Sequence, residues 1–370
     1  MRISLVCPSL QSGGAERAVV TLSAAFLSRG HEVAIITVAA RPDFYRIPVG
    51  VERFELDMAV YSPTPLHGLC HNIRRLRALR RLLHNTRPDV VISHVDQTNV
   101  LTTLATAWMN FPVIVVEHVD SSIFSPGRTW KTMRHFAYRW ASKVVSVSKG
   151  VDLGLTWLPE HHRRVIHNPI VLPPPNTSEG TPLRVLSPGR SRVIAMGRLV
   201  HQKGFDLLLT AFQRISQSHP TWELVIIGEG ELRRELECQR NAAQLSDRVR
   251  FTGAVHDPFP LLEAADLFAM ASRYEGLPYA LLEAMACGLP VIYTDCPSGP
   301  SEIIRHGVDG LLVPNGDINA LVDALDKLMS DEKARRCLAI RAPEVLNRFG
   351  IECVTNDWED LIADVLKSSN

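Results

Sequence analysis

The sequence predicts an α/β protein of two doubly wound, Rossmann-like domains, and three observations support this. Short apolar strands alternate with amphipathic helices, as in parallel sheets covered by helices on both faces. The chain has 370 residues, enough for two separate cores. The alternation breaks once, over residues 169–191, where six prolines leave no regular element. We therefore expect an N-terminal domain over 1–168, a linker over 169–191, a C-terminal domain over 192–350, and a final helix over 351–370 that could pack back on the N-terminal domain.

The predicted strands are short apolar runs bounded by turn residues. They span 3–7, 33–38, 90–93, 113–116 and 144–147 in the first half, and 193–196, 223–227, 249–252, 267–270, 290–293 and 311–313 in the second. The helices predicted between and after them include 15–28, 205–216, 232–243, 318–328 and 354–366. Asp317 is the expected N-cap of the 318–328 helix. Because ligands of such sheets bind outside the carboxyl ends of the strands, we expect the domains to face each other across a cleft.

Composition argues against several classes of protein. The 40 basic and 39 acidic side chains nearly cancel, and a net charge of +1 argues against general nucleic-acid binding. The seven cysteines contain no Cys-x-x-Cys pair, so we expect free thiols in a reducing compartment. The first residues show no apolar stretch of signal-peptide length, and the longest uncharged run, 97–116, contains polar residues and a proline. We expect a cytoplasmic protein, which could attach to a membrane surface.

Two cations follow the predicted strand 193–196, at a strand-to-helix turn. Arg198 and Lys203 lie five residues apart, flanked by Gly197 and Gly204. Helix N-terminal amides favour an anion at such a turn. A guanidinium can bind two phosphate oxygens in a fork, and an ammonium acts as a mobile point charge. The pair predicts a phosphate site, although two solvated surface cations would give the same pattern.

Two glutamates follow the predicted strand 267–270. Glu275 lies in the turn beside Gly276, and a helix is expected to begin near Pro278. Glu283 is eight residues beyond Glu275, about two helical turns away and roughly on the same face. Two carboxylates so placed could hold two parts of an extended, hydroxyl-rich ligand, with Glu275 on sugar hydroxyls. The alternative is a helix N-terminal charge followed by an ordinary exposed glutamate.

Taken together, these motifs resemble glycosyltransferase family 4, whose fold is the two-domain GT-B architecture. The resemblance rests on Gly197-Arg198-Leu199, His201-x-Lys203-Gly204 and Glu275-x7-Glu283, with further matches at 228–230, 251–253, 284–292 and 307–313. It covers nearly the whole chain and is densest from 193 to 317. It implies that the N-terminal domain binds the acceptor and the C-terminal domain binds a nucleotide-sugar donor.

The resemblance also implies roles on the donor side. Arg198 and Lys203 would bind the donor diphosphate, Glu283 would bind the nucleotide ribose, and the backbone around Val255 would contact the base. Such enzymes need neither a metal nor another cofactor, and this chain has no Asp-x-Asp motif. The two cations would supply the countercharge that a magnesium ion otherwise provides.

The remaining implied roles concern the transferred sugar. Glu275, with the amides of Gly276 and Leu277, would hold it. His118 follows a strand at its carboxyl end, and the resemblance places it near the reacting carbon, although a lone histidine is often structural. Family members retain the anomeric configuration. The resemblance implies front-face displacement, in which the leaving phosphate helps to accept the proton of the acceptor hydroxyl.

Two loops of the first half are candidates for the cleft. Gly13 and Gly14, followed by Glu16, lead from the first strand into a helix, where glycine permits close approach of a ligand, although a plain structural turn is the alternative. This is not Gly-x-Gly-x-x-Gly and no acid follows the second strand, so a nicotinamide site is not expected. The resemblance places the glycine loop near the phosphates and acceptor. Residues 93–99, with Thr98 and Asn99, form a candidate acceptor loop.

Residues 73–83 predict an amphipathic helix rich in arginine. Arg74, Arg77 and Arg81 line one face, and the apolar side chains at 73, 76, 79 and 83 line another. Neighbouring like charges repel one another unless anions are near. The helix predicts a site for anionic lipid headgroups or for the diphosphate of a lipid-linked acceptor, and the alternative is a solvated face of a docked helix.

The donor and acceptor classes follow from finer resemblance. Residues 294–302 depart from the commoner Gly-Gly form and resemble bacterial members that add N-acetylgalactosamine or galactose to undecaprenyl-diphosphate-linked glycans. We therefore expect a UDP-sugar donor and a polyprenyl-diphosphate-linked acceptor at the inner face of an anionic membrane. The alternatives are a GDP-mannose-dependent mannosyltransferase, a UDP-N-acetylglucosamine 2-epimerase on the same fold, and a lectin-like protein without activity.

Overall fold

The computed structural model describes residues 1–57, 65–120, 127–172 and 186–369. The chain divides into two compact units, one formed by Met1–Pro169 with Gly350–Asn370 and the other by Ile170–Phe349. Most of the expected linker, residues 173–185, lies outside the described residues. Within the described residues, no helix combines the length and apolar character needed to cross a membrane.

The first unit is built on a seven-stranded parallel sheet in the order β3-β2-β1-β4-β5-β6-β7. Its strands are β1 (Arg2–Cys7), β2 (Glu32–Thr37), β3 (Glu52–Glu55), β4 (Val90–His94), β5 (Val113–Glu117), β6 (Lys143–Ser146) and β7 (Arg163–Val165). Its helices before the linker are α1 (Gly14–Ser28), α2 (Pro65–Thr86), α3 (Asp96–Thr106), α4 (Arg128–Ala137) and α5 (Lys149–Leu153). All five residues of β4 and of β5 are buried, as expected for strands covered on both faces.

The second unit repeats this arrangement with a six-stranded parallel sheet in the order β10-β9-β8-β11-β12-β13. Its strands are β8 (Ser191–Met196), β9 (Trp222–Ile227), β10 (Val249–Gly253), β11 (Leu267–Met270), β12 (Val291–Asp295) and β13 (Leu311–Pro314). Its helices are α6 (Phe205–Ile215), α7 (Arg233–Ala242), α8 (Phe259–Glu263), α9 (Tyr279–Ala286), α10 (Pro300–Ile303), α11 (Ile318–Ser330), α12 (Glu332–Arg341) and α13 (Leu346–Phe349).

The C-terminal helix α14 (Ile351–Ser369) belongs to the first unit and packs against α1. Arg29, just after α1, donates to Glu359 at 2.6 Å and to Glu352 at 2.8 Å. Trp358 is 2% exposed and Ile362 is fully buried, so the helix contributes to that unit's core.

The structure differs from the sequence expectations at several edges. β3 and β7 were not predicted, because these short edge strands are charged and only partly buried. α9 begins at Tyr279 with Pro278 as its N-cap, so the helix starts one residue later than the proline suggested. The N-cap prediction for Asp317 is confirmed, since its side chain accepts from the amide of Ala320 at 3.0 Å.

Candidate active site

Sheet order places two pairs of loops where ligands bind in such folds. In each unit the order reverses beside the first strand, between β1 and β4 and between β8 and β11. Loops at the carboxyl ends of the strands flanking such a reversal form a crevice. The loop after β8 carries Arg198 and Lys203, and the loop after β11 carries Glu275. Two of the sequence-predicted donor residues, Lys203 and Glu275, therefore meet within the second unit.

Lys203 and Glu275 form an ion pair whose carboxylate is buried and whose ammonium is partly buried, a contact that the sequence did not predict. The ammonium lies 2.7 Å from one carboxylate oxygen and 2.8 Å from the other, and the Glu275 residue is 3% exposed. The hydroxyl of Tyr293, the middle residue of β12, donates to Glu275 Oε1 at 2.9 Å and lies 3.1 Å from Ser272 Oγ. Burial, followed by the charge of Glu275, raises the pKa of Tyr293 well above its ordinary value, so the phenol stays a donor.

Further contacts lock the two loops together. Arg273 donates to both carboxylate oxygens of Asp206 at 2.8 and 2.6 Å, and the Gln202 amide donates to the carbonyl of Tyr274 at 3.0 Å. Gly204 has φ +62°, and a Cβ there would collide with the carbonyl of Ala271. Only glycine fits this close backbone approach.

The donor-side residues differ in how much of each is open to a ligand. The Arg198 side chain is exposed and makes no hydrogen bond or ion pair with another described residue, while its carbonyl accepts from the amide of Val200 at 2.8 Å. The amides of Gly276 and Leu277 donate to no described protein group, whereas the amide of Glu275 donates to the carbonyl of Pro297 at 3.1 Å. A guanidinium and two free amides are the donors that an anionic or hydroxyl-rich ligand requires.

Glu283 and Val255 occupy less accessible positions. Glu283 lies within α9 and is 1% exposed, so the alternative of an ordinary surface glutamate is wrong. Glu275 lies before that helix, so helical periodicity does not relate the two carboxylates. Val255 is half-buried in the loop after β10, and the preceding Gly253 has φ +83°.

In the first unit, the glycine loop forms the start of α1. The helix begins at Gly14, and Gly13 is its N-cap with an extended backbone at φ −176°. The Glu16 side chain folds back so closely that a Cβ on Gly13 would collide with its carboxylate. The Tyr45 hydroxyl donates to the carbonyl of Gly13 at 3.2 Å. A carboxylate therefore lies where the helix dipole would otherwise favour an anion.

His118 lies beside a second histidine that the sequence did not single out. Its Nε2 is 3.0 Å from Nδ1 of His94, the last residue of β4. Burial lowers the pKa of His118 to about 4, and burial with the charge of the His118 ring lowers the pKa of His94 well below its ordinary value. Both imidazoles are thus neutral at physiological pH, and one of the two facing nitrogens donates its hydrogen to the other.

Glu117, the last residue of β5, lies in a cluster of hydrogen-bonded polar side chains. It is 3% exposed, and Tyr138 donates its hydroxyl to Oε1 of the carboxylate. Burial, with the charge of Asp96 as the next cause, raises the pKa of Glu117 to about 7. The Asn99 amide donates to the carbonyl of Val116 at 2.9 Å and to the Tyr138 hydroxyl at 3.1 Å.

The prediction that residues 93–99 form a loop was wrong. Residues 93 and 94 end β4, and the helix α3 begins at Asp96. Thr98 is 4% exposed and Asn99 is fully buried, so neither side chain lies open to an acceptor. The start of α3 follows the end of β4 almost directly, so these residues do not form the loop that their polar side chains suggested.

The arginine helix coincides with α2. Leu79 and Leu83 are fully buried, and Arg74, Arg77 and Arg81 are exposed without an ion pair to any other described residue. The amphipathic prediction is confirmed for this stretch, except that Ile73 is 39% exposed.

Sequence reasoning missed the supporting residues, Tyr293 and Ser272 under Glu275 and His94 beside His118. The signal available was their position, because His94 ends β4, Ser272 lies two residues after β11, and Tyr293 lies within the neighbouring strand β12. Over the described ranges, no three His, Cys, Asp or Glu side chains are grouped so as to hold a metal ion.

Comparison with known proteins identifies the family. The family model for glycosyl transferases group 1 matches residues 185–345, and the model for glycosyltransferase family 4 matches residues 12–172. The chain is 31% identical over 366 residues to a Campylobacter jejuni enzyme, covering 99% of both chains. That relative is named GalNAc-alpha-(1->4)-GalNAc-alpha-(1->3)-diNAcBac-PP-undecaprenol alpha-1,4-N-acetyl-D-galactosaminyltransferase.

Solved structures show the same fold. Sucrose-phosphate synthase from Thermosynechococcus elongatus matches with a TM-score of 0.82 at 21% identity, covering 99% of each chain. Anabaena HepE in complex with UDP and glucose matches with a TM-score of 0.78 at 20% identity, covering 98% of this chain and 99% of that one. The chain belongs to glycosyltransferase family 4 and has the GT-B fold of two Rossmann-like units.

Proposed function

We propose that this glycosyltransferase moves an N-acetylhexosamine or galactose from a UDP-sugar to a lipid-linked glycan, with retention of the anomeric configuration. Two comparisons support the substrates. The Campylobacter relative is named for transfer of N-acetylgalactosamine onto an undecaprenol-PP glycan, and HepE is described in complex with UDP and glucose. The geometry of the second unit supports the donor.

The observation that carries the proposal is the paired and buried Glu275 beside open hydrogen-bond donors. Lys203 has three N–H groups, and its contacts with the two Glu275 oxygens leave one for a phosphate. Arg198 remains free for the same diphosphate, and the amides of Gly276 and Leu277 remain free for the sugar or phosphate. A carboxylate fixed by Lys203 and Tyr293 can accept from sugar hydroxyls without rearranging.

In this proposal the protein stabilises the departing diphosphate and positions the reacting atoms. Arg198 and Lys203 offset the charge that grows as the glycosidic bond to phosphate breaks. Glu283 holds the ribose and the backbone near Val255 contacts the base. His118, neutral because of its burial, donates or accepts a hydrogen bond near the reacting carbon. The leaving phosphate accepts the proton of the attacking hydroxyl.

In the glycine loop of the first unit, we assign Gly14 to donor binding and Gly13 and Glu16 to acceptor contact. The exposed arginines of α2 would bind the acceptor diphosphate or anionic headgroups at the inner face of the cell membrane. Vesicle flotation of a variant with Arg74, Arg77 and Arg81 changed to Glu tests this assignment. Reduced binding is expected, and unchanged binding to anionic vesicles would reject it.

A donor screen tests the proposed function. Thermal unfolding is measured with UDP-N-acetylgalactosamine, UDP-N-acetylglucosamine, UDP-galactose and GDP-mannose, in the wild type and in Arg198→Ala. A UDP-sugar is expected to raise the unfolding midpoint of the wild type, since a ligand stabilises the state it binds, and to do so less in the variant. Stabilisation by GDP-mannose alone would favour a mannosyltransferase. Conversion of UDP-N-acetylglucosamine without acceptor would favour the epimerase.

A further inference from the structure

Trp108 is an exposed side chain in a strained backbone conformation. It is 90% exposed and has φ +64°. The amide of Met109 donates to the carbonyl of Thr106 at 2.9 Å, and Ala107 has φ −50° and ψ 128°. These are the features of a type II turn, with Trp108 at the position that favours glycine or asparagine.

Neither the fold nor solvation explains a tryptophan at this position. A left-handed conformation is energetically unfavourable for a bulky L-residue. An indole in water also forgoes the stabilisation that burial gives to other aromatic side chains. Glycine would satisfy the turn better and would expose no apolar surface. The residue is therefore best explained by a contact that the isolated chain does not make.

Two other exposed aromatic residues extend the apolar surface that begins at Trp108. Trp140 is 49% exposed with its ring centroid 6.5 Å from that of Trp108, and Phe136 is 57% exposed with its centroid 4.5 Å from Trp140. We call these three residues the aromatic patch. An open groove of about 560 Å³ runs beside it, lined in part by Met109 and Phe111. The patch is a continuous apolar surface rather than one stray side chain.

The sequence around the patch is cationic. Residues 65–86, which form α2, contain five arginines and no acid, and residues 127–143 contain five Lys or Arg and no acid. Arg80 of α2 donates to the carbonyls of Ala105 and Ala107 at 3.0 and 2.8 Å, so α2 is tied directly to the turn. Lys131 and Arg139, in the segment that carries Phe136 and Trp140, are exposed. Exposed aromatic rings flanked by cations match the headgroup region of an anionic bilayer.

We propose that the first unit docks on an anionic lipid bilayer through the aromatic patch, with the Trp108 indole inserted among the headgroups and the arginines of α2 on lipid phosphates. The inference deepens the proposed function, because such a bilayer would carry the lipid-linked acceptor. The turn precedes β5 while Glu117 ends that strand, about 13 Å further along at 3.3 Å per residue. Trp108 therefore lies away from the histidine pair and can be changed without touching it.

Vesicle flotation without donor or acceptor tests the proposal, so its result does not depend on sugar transfer. The wild type, Trp108→Gly and Trp108→Asn are compared on vesicles of phosphatidylcholine mixed with phosphatidylglycerol and on phosphatidylcholine alone. Both replacements suit a left-handed turn position. Ile340→Ser is the matched control, since Ile340 is 76% exposed in the second unit.

The wild type and the control are expected to float with the mixed vesicles and not with phosphatidylcholine alone. Binding of both Trp108 variants should fall about tenfold or more, as expected when a large aromatic side chain no longer leaves water. Their unfolding midpoints should match or exceed that of the wild type. Wild-type binding by the Trp108 variants, equal binding to both vesicle types, or no flotation at all would overturn the proposal. A dimer that disappears in Trp108→Gly would overturn it too and assign the patch to a second copy of this chain.

Discussion

Replacing Lys203 by methionine should destabilise the second unit strongly. Met keeps the apolar stem but removes the ammonium, so among the described residues the buried Glu275 keeps only Tyr293 as a side-chain donor. Breaking a buried ion pair by removing one partner costs about 3–5 kcal/mol. The second unit spans about 180 residues, for which 1 kcal/mol shifts the unfolding midpoint by roughly 2–4 °C. We expect Lys203→Met to lower that midpoint by roughly 6–20 °C.

Calorimetry of three variants checks this value. Lys203→Met combined with Glu275→Gln should recover most of the loss, because glutamine is neutral and still accepts from Tyr293. Lys333→Met removes an exposed lysine of α12 and should leave the midpoint nearly unchanged. A Lys203→Met midpoint within about 2 °C of the wild type would show that the pair contributes far less than a buried pair should. Failure of Glu275→Gln to rescue would show that an unpaired carboxylate is not the cause.

Three further results are expected. Arg198→Ala should lose about 2–4 kcal/mol of transition-state stabilisation, measured as kcat/KM, and leave the unfolding midpoint unchanged because the side chain is exposed. Burial raises the pKa of Glu117 to about 7, so its stabilising contribution is complete below about pH 4.5 and is lost as the pH rises through 7. At pH 8, Glu117→Gln should therefore be more stable than the wild type, by up to about 3 kcal/mol in denaturant titrations. Burial lowers the pKa of His118 to about 4, so as the pH falls from 6.5 to 4 the unfolded chain binds a proton at this side chain before the folded chain does. The free energy of unfolding should therefore fall across that window, and it should fall less steeply in His118→Asn.

The sequence was informative where local pattern and position decide the structure. Apolar runs bounded by turn residues located β8 and β11, and the reversal of strand order between them brings their loops together. Arg198 and Glu275 could therefore be assigned to one crevice from their position after those strands. The amphipathic pattern of α2 likewise predicted the burial of Leu79 and Leu83.

Contacts between distant segments could not be predicted in the same way. Lys203 and Glu275 are separated by 72 residues in the sequence. Residue periodicity cannot show that two side chains predicted to bind a ligand also form an ion pair with each other. The buried Asn99 amide donates to Tyr138, 39 residues away, and the sequence does not show that partner, so the polar side chain suggested a loop instead of a helix. The strained turn at Trp108 required a backbone angle, which no residue pattern supplies.

Transfer from UDP-N-acetylgalactosamine and UDP-galactose to a synthetic polyprenyl-diphosphate-linked sugar tests the central claim most directly. UDP release and product are followed together, and the anomeric configuration of the product is read by NMR. We predict that UDP is released only when acceptor is present, that the new linkage keeps the α configuration of the donor, and that Arg198→Ala abolishes most of the transfer. A β-linked product, release of free sugar without acceptor, or transfer from GDP-mannose alone would contradict the account.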